Sequence, residues 1–344
     1  MDKKEIVFIM NPISGTVKKA GIPKFIEEYL DGNKFSYSIS STEYAGHATL
    51  LASQAAARGC DAVIAVGGDG TINEVGRALV GTSTAMGIIP CGSGNGLARH
   101  LMLPMDIKKS ILNINRFEVH RLDYGVIDGH PFFCTCGMGF DAYISMKFAE
   151  AGKRGPVTYL ENILKSGLKY EPEDYAIESE ETGTLRKRAY LVSCANASQY
   201  GNNAYIAPQA SMSDGLLDVI VMEPFEIIDA PQISIDMFNK TINRNPKVKT
   251  FRSSHIVVHR EREGVIHYDG DPVIAGKDID ISLHSRGIGI IVNPDADKSK
   301  RKPNAVQNAF CEFFNDIYAV RSDITRQGRH IQAINKLLLK KLNR

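Results

Sequence analysis

Residues Val66–Val75 read VGGDGTINEV, and they come directly after the short apolar run Ala62–Val66. A buried strand followed by Gly67-Gly68-Asp69-Gly70-Thr71 and then by a helical Ile72–Leu79 is one βα unit with a glycine-rich turn. The pattern recurs on either side. Ile6–Met10 is apolar and ends in Asn11-Pro12-Ile13-Ser14-Gly15, with helical spacing over Ile22–Leu30. Phe35–Thr42 reads as a strand and Ala48–Ala57 as a helix. Ala85–Pro90 is a strand ending in Cys91-Gly92-Ser93-Gly94-Asn95-Gly96. This βα rhythm predicts a parallel sheet covered by helices on both faces.

Beyond a helical stretch at Asp106–Asn115 the rhythm changes to short strands separated by turn signals. The candidates are Arg121–Ile127, Pro131–Cys136, Arg188–Ala195, Leu217–Val221, His255–His259 and Ile279–Leu283. Helices are expected at Phe148–Leu168 and Glu226–Asn243. The chain therefore divides into an α/β domain over 1–116, a β-rich domain over 117–297, and a basic linker with a helical tail over 298–344. The strand at Ile288–Asn293 could pair in either domain.

Composition sets outer bounds. The chain has 344 residues, 43% apolar and 23% charged, with a net charge of +2. That balance is globular and does not suit a dedicated nucleic-acid binder. It hides an asymmetry: from Lys298 onward eleven Lys or Arg face three acids, a net of +8, which leaves −6 for residues 1–297. The six cysteines, Cys60, Cys91, Cys134, Cys136, Cys194 and Cys311, form no CxxC pair and read as reduced thiols of a cytoplasmic protein. No stretch approaches the apolar length of a membrane span, so any membrane contact should be peripheral, at the inner face.

Three glycine-rich loops at the carboxyl edge of one parallel sheet are suited to phosphate. Glycine lets backbone N–H groups approach an anion closely, and each following helix adds a positive dipole end. Neither GxxxxGK[ST] nor GxGxxG is present. Asp69 would repel bare phosphate unless Mg²⁺ lies between them, so Mg·ATP is a more natural ligand than a plain dinucleotide.

Seven stretches, in order, resemble the diacylglycerol kinase catalytic-domain family, which includes sphingosine kinases and bacterial lipid kinases. They are NPISG (11–15), VGGDGTINEV (66–75), IPCGSGNGLAR (89–99), LDYGVIDG (122–129), GMGFDA (137–142), SDGLLDV (213–219) and YDGDP (268–272). The resemblance covers about residues 1–295. It implies a phosphofructokinase/NAD-kinase-like nucleotide-binding domain, a β-sandwich domain that helps hold the lipid, and ATP-dependent lipid kinase activity. By motif position it places Asn11, Ser14, Gly15, Thr42, Gly68, Asp69, Gly70, Thr71, Asn73, Glu74 and Ser93 at the nucleotide, with Asp69 acting through Mg²⁺.

Asp269 is the implied base. Asp271 stands where the family has Glu, which leaves the roles of the two carboxylates open. Asp214, with carbonyls of Leu216 and Ser211, matches a structural Mg²⁺ segment, and Lys153 and Arg154 could clamp phosphates. Asp141 falls where sphingosine kinases place an acid toward the sphingoid amine, so the substrate is a sphingoid base or diacylglycerol. For each Asp-Gly pair a plain turn is the competing reading. For function the alternatives are an NAD kinase-like phosphotransferase and a non-catalytic lipid- or nucleotide-binding protein. Asn73-Glu74 and the GSGNG loop favour the lipid kinases.

In the tail, Ile331, Ile334, Leu338 and Leu342 form one stripe, and Arg326, Arg329, Lys336, Lys340, Lys341 and Arg344 supply only positive charge. A helix over 324–342 of this kind suits an anionic lipid surface, with docking in a homo-oligomer as the alternative. Deleting 303–344 should reduce co-sedimentation with anionic vesicles while ATP binding persists. Unchanged sedimentation would remove the tail from membrane contact.

Overall fold

The structure is a computed structural model that describes residues 2–12, 21–151, 170–226 and 229–296. Ser14, Gly15, Lys153, Arg154 and the tail lie outside these residues.

The first domain consists of strands β1 (Lys4–Met10), β2 (Phe35–Ser41), β3 (Ala62–Gly67) and β4 (Ala85–Pro90). With them are helices α1 (Ile22–Tyr29), α2 (His47–Ala57), α3 (Asp69–Leu79), α4 (Gly96–His100) and α5 (Ile107–Ile114). The strands pair in parallel in the order β2-β1-β3-β4. Every residue of β3 and β4 is buried, as a parallel sheet covered on both faces requires. Alternate residues of β1 feed opposite cores: Val7 and Ile9 join one with Ile72 and Leu79, while Ile6 and Phe8 join the other with Ile22, Ile26 and Ile111. Asp106 caps α5, accepting the Lys109 N–H at 2.9 Å.

The chain continues through β5 (Val119–Ile127), β6 (His130–Phe132), β7 (Thr135–Gly139) and α6 (Phe140–Ala151). Strands β8 (Glu173–Ser179), β9 (Gly183–Ala189), β10 (Leu191–Ala195), β11 (Gln199–Gly201), β12 (Ala204–Tyr205) and β13 (Leu217–Met222) follow, then α7 (Ala230–Asn239). Strands β14 (Val248–Ser253), β15 (His255–Arg260), β16 (Gly264–Tyr268), β17 (Asp271–Ala275) and β18 (Asp278–Ile291) complete the described fold.

Strand β18 joins the two halves. Its end pairs in parallel with β4 at Ile290↔Met86, and its start pairs antiparallel with β15. The ten-stranded sheet thus runs β2-β1-β3-β4-β18-β15-β8-β9, with β5 also on β18 and β6 on β5. A six-stranded sheet, β14-β13-β10-β7-β16-β17, packs against its far half. The core between them takes Ile127, Ile177, Ile256, Val258, Ile279 and Ile281 from one sheet and Met138, Val192, Val219 and Ile266 from the other. The second domain is therefore a β-sandwich that shares one leaf with the nucleotide-binding sheet.

Several expected strands are divided or joined. Pro131–Cys136 is split between β6 and β7, and Arg188–Ala195 breaks at Tyr190, where β9 ends in one sheet and β10 begins in the other. Ile279–Leu283 and Ile288–Asn293 fall mostly on the single strand β18, which carries an irregularity between His284 and Ile288. The expected helix at Phe148–Leu168 overlaps the described residues only in the last turn of α6.

Ile281 is fully buried on β18, opposite both Ile256 and Ile127. Ile281→Ala should cost about 2–5 kcal/mol in urea unfolding, since a cavity there cannot collapse between two sheets.

Candidate functional site

The carboxyl ends of β1–β4 bring the first set of residues to one edge. Asn11 follows β1, and its N–H donates to the Val66 carbonyl at 3.2 Å. Thr42, buried, follows β2 and donates its N–H to Met10 at 2.9 Å. Gly68 precedes α3, and Asp69, Gly70, Thr71 and Asn73 lie in its first turns. Ser93 is exposed on the loop after β4.

That loop and Asp69 form one clasp. Asp69 Oδ2 accepts the Asn95 N–H at 2.8 Å and Oδ1 accepts the Gly96 N–H at 2.7 Å. Asn95, at positive φ, closes the loop on itself: its amide bonds both the N–H and the carbonyl of Gly92, at 3.0 and 2.7 Å. Arg99 braces the same loop through its Nε, which donates to the Gly94 carbonyl at 2.8 Å.

The glycines are needed for the approach of these two loops. A Cβ at Gly92 would stand 2.7 Å from Gly68 Cα, and one at Gly94 2.7 Å from Asp69 Oδ2. The sequence suggested amides offered to phosphate, but those of Asn95 and Gly96 hold the carboxylate instead. Burial pushes the Asp69 carboxyl up from its ordinary value, against the pull of the Gly96 and Asn95 N–H groups and of Arg99. Glu74 turns away to α2, where its carboxylate accepts the N–H groups of Gly46 and Ala48 at 3.0 and 3.1 Å.

The second carboxylate comes from the sandwich. Asp269-Gly270 is the two-residue turn joining β16 and β17, and both residues have positive φ, as a type I′ hairpin requires. The Asp-Gly signal is thus a turn and a site at once. Asp269 Oδ2 accepts the Phe133 N–H at 2.7 Å, and Oδ1 accepts those of Cys134 and Thr135 at 2.7 and 3.1 Å. Burial again pushes the carboxyl up, opposed by these amides and by Arg77. Asp271 faces the other way, in a 2.8 Å ion pair with Arg77, whose guanidinium also lies 4.5 Å from the Tyr268 ring.

Asp69 and Asp269 line one cavity of about 380 Å³, together with Asn73, Gly96, Cys134 and Thr135. Burial and both carboxylates push the Cys134 thiol far up, so it stays neutral. The remaining wall is mostly apolar, including Phe140, Ile144, Tyr190, Met222, Phe225 and Ile233. Asp141 lies on this wall in the first turn of α6. Its Oδ2 bonds Tyr200 Oη and His267 Nε2, both at 3.1 Å.

Arg77, Arg99, Tyr200 and His267 were not singled out from the sequence. Arg99 lay within the quoted IPCGSGNGLAR. His267 lay two residues before Asp269, on β16, which was not among the strands expected from the sequence. Tyr200 carried no local signal.

The Asp214 loop holds an arginine where a cation was implied. Arg252 reaches Asp214 Oδ2 at 3.6 Å and Asp218 Oδ1 at 3.3 Å, and donates to the Gln209 carbonyl at 3.3 Å. Asp214 Oδ1 accepts the Leu216 N–H at 3.2 Å, Ser211 Oγ bonds Ser213 Oγ, and Asp218 Oδ2 is left buried without a partner. Among the described residues no group of three or more His, Cys, Asp or Glu side chains is placed to hold a metal.

Residues 5–127 match the diacylglycerol kinase catalytic domain, and residues 134–277 match the YegS C-terminal NAD kinase beta sandwich-like domain. A diacylglycerol kinase of Bacillus subtilis is 26% identical over 278 residues, 78% of this chain and 90% of that protein. An uncharacterised Synechocystis protein is also 26% identical over 278 residues, 77% of this chain. This chain spans only 61% of that protein's length. A solved structure of a putative diacylglycerol kinase from Bacillus anthracis, 21% identical, superposes with a TM-score of 0.68 over 86% of this chain and 99% of that one. That likeness is one of fold.

The two raised carboxyls make a pH prediction. A folded-state pKa above the ordinary 3.8 means the folded protein binds that proton more tightly than the unfolded chain. The stability this contributes is complete below the unfolded value and is lost as pH rises through the folded one. Asp269→Asn cannot titrate. Its stability relative to wild type should therefore rise with pH across that window in urea unfolding. A flat difference would contradict the raised carboxyl.

Proposed function

The chain belongs to the diacylglycerol kinase catalytic-domain family of lipid kinases, and on that premise we propose its reaction. It transfers the γ-phosphate of ATP to the hydroxyl of a long-chain lipid, a sphingoid base or a diacylglycerol, at a membrane surface. The observation that carries the reading is the meeting of Asp69, from the nucleotide-binding domain, and Asp269, from the sandwich, at one end of an apolar cavity.

Asn11, Thr42, Gly68, Gly70, Thr71, Asn73 and Ser93 fit the nucleotide, from the carboxyl edge of the sheet. Asp69 fits a Mg²⁺ bound with it: each carboxylate oxygen takes one backbone N–H and keeps lone-pair capacity. That ion would supply charge neutralisation on the phosphates. Asp269 is the base. Three amides fix its carboxylate, and burial raises its basicity, so it is suited to take the proton of a lipid hydroxyl.

As that proton leaves, the hydroxyl oxygen bonds the γ-phosphorus and the bond to the β-phosphate oxygen breaks, releasing ADP. Phosphoryl transfer of this kind is mostly positioning and charge stabilisation, which suits a site built on backbone donors. Asp271, committed to Arg77, serves the hairpin rather than the proton.

The apolar wall supports a lipid acceptor over the NAD kinase-like alternative, because a dinucleotide's pyrophosphate would need polar partners there. No described helix is long and apolar enough to cross a membrane.

The test is transfer of labelled γ-phosphate from Mg·ATP in mixed micelles, with diacylglycerol, a sphingoid base and NAD side by side. Label should appear on lipid; label on NAD alone would overturn the proposal. Asp269→Asn should lower kcat by about 10²–10⁴, whereas Asp271→Asn should cost less than about tenfold. The opposite order would move the base to Asp271.

A further inference from the structure

Helix α3 starts at Asp69 and meets the second domain near its other end, at Gly76 and Arg77. Gly76 lies against the ring of Phe133: a Cβ there would stand 2.6 Å from Phe133 Cε2. Phe133 is fully buried, and its N–H is one of the three that hold Asp269. Arg77 spends its donors on the same junction and on the hairpin beyond it. Nε donates to the Pro131 carbonyl of β6 at 3.2 Å, Nη1 to Asp271 Oδ2 at 2.8 Å and Nη2 to the Tyr268 carbonyl at 3.4 Å. The guanidinium also lies 4.5 Å from the Tyr268 ring, which stacks on His130 at 4.6 Å. These acceptors flank Asp269: the residue before it, the residue two after it, and the strand that leads into its amide cradle.

From this geometry we propose that Arg77 is a positioning residue for phosphoryl transfer, which fixes the Asp269 hairpin at a set distance from Asp69. The inference rests on the reading of Asp269 as the base. Asp69 and Arg77 stand on one helix, about 12 Å apart along its axis. Each domain contributes one carboxylate, and α3 carries the first and grips the turn of the second. A planar fork suits this task, because it meets two carbonyls and a carboxylate at once; a lysine ammonium is a point charge on a flexible stem.

The positive charge has its own effect. Arg77 pulls the Asp269 carboxyl down against the effect of burial, and so favours the ionised base. Asp271, paired with Arg77, offsets part of that pull. The other ionisable groups nearby among the described residues are the Asp69 and Asp141 carboxylates, the neutral Cys134 thiol and the His267 ring on the cavity, and His130 beyond Tyr268.

The test is the pH profile of kcat for lipid phosphorylation by the full chain in mixed micelles at saturating Mg·ATP. Arg77→Gln should lower the plateau by roughly tenfold or more. It should also move the acid limb up by about half a pH unit or more, since removing a cation raises a neighbouring carboxyl. Arg77→Lys keeps the charge without the fork, so it should lower the plateau and hold the limb. Asp271→Asn leaves Arg77 without its counter-ion and should move the limb down. It carries the test if Arg77→Gln does not fold, and an unmoved limb there overturns the inference. In folded Arg77→Gln, a lower plateau with an unmoved limb is what a merely structural contact would give, and it overturns the inference; an unchanged plateau does so as well.

Urea unfolding gives a readout without turnover. The upper end of the pH window in which Asp269→Asn gains stability over its parent should move up in the Arg77→Gln background. If wild type labels no lipid and that window still moves, the kinase reading fails and the hold of Arg77 on Asp269 stands. If wild type labels lipid while neither limb nor window moves, the kinase reading stands and the inference fails.

Discussion

Three backbone N–H groups on one carboxylate fix the geometry of the site. Phe133, Cys134 and Thr135 reach Asp269 only because β6 ends and β7 begins there, and because the β16–β17 turn points its first residue at that gap. The turn demands positive φ at two successive positions, which Asp-Gly supplies at low cost. Tyr268↔Asp271 pairing and the Arg77 bridge hold the hairpin in register, and β7 is in turn fixed by β10 on its other side. The site thus follows from strand register together with the conformation of one tight turn. A one-residue slip of β16 would turn His267 to the opposite face and shift the Asp269 turn away from the Phe133–Thr135 amides.

The nucleotide edge obeys the same logic with different parts. Asp69 opens α3, and its two oxygens draw the amides of Asn95 and Gly96 across from the next βα loop. Close approach without side chains at Gly92 and Gly94 makes that possible. Both clasps hold a carboxylate with neutral donors, which keeps its charge available instead of cancelling it. Burial raises both carboxyls even so. The site therefore carries a standing cost in stability, and the buried cores on either side of the shared sheet offset it.

The α/β half was legible because its signals are local. Continuous apolar runs such as Ala62–Val66 can only be buried strands, and each ends in a glycine turn that starts a helix. The sandwich was less legible where its strands are edges. Glu173–Ser179 and Gly183–Ala189 alternate apolar with charged residues and form the outermost hairpin of the large sheet, so composition alone reads them as loop. Strand β18 was read in pieces because Ser285-Arg286-Gly287 looks like a turn. It is an irregularity that lets one strand serve two sheet regions. Asp69 and Asp269 were visible as motif residues. Tyr200 and His267 were not, since their meaning lies in meeting Asp141 from two separate strands and a helix, and no spacing along the chain encodes that.

The cavity's position follows from the shared strand. Because β18 continues the parallel sheet directly into the sandwich, the carboxyl edge of β1–β4 and the open end of the six-stranded sheet face a common space. One domain brings a carboxylate set by a βα turn, the other a carboxylate set by a ββ turn, and neither alone encloses the space between them. Chemistry that joins a polar, charged reactant to an apolar one needs such a boundary. The amide-rich edge offers little to a hydrocarbon, and the apolar side chains from Phe140 to Ile233 offer little to a phosphate. On the proposed reaction, the charged reactant would sit beside the amides and the hydrocarbon along the apolar wall, so that the hydroxyl and the phosphate would meet where the two carboxylates stand.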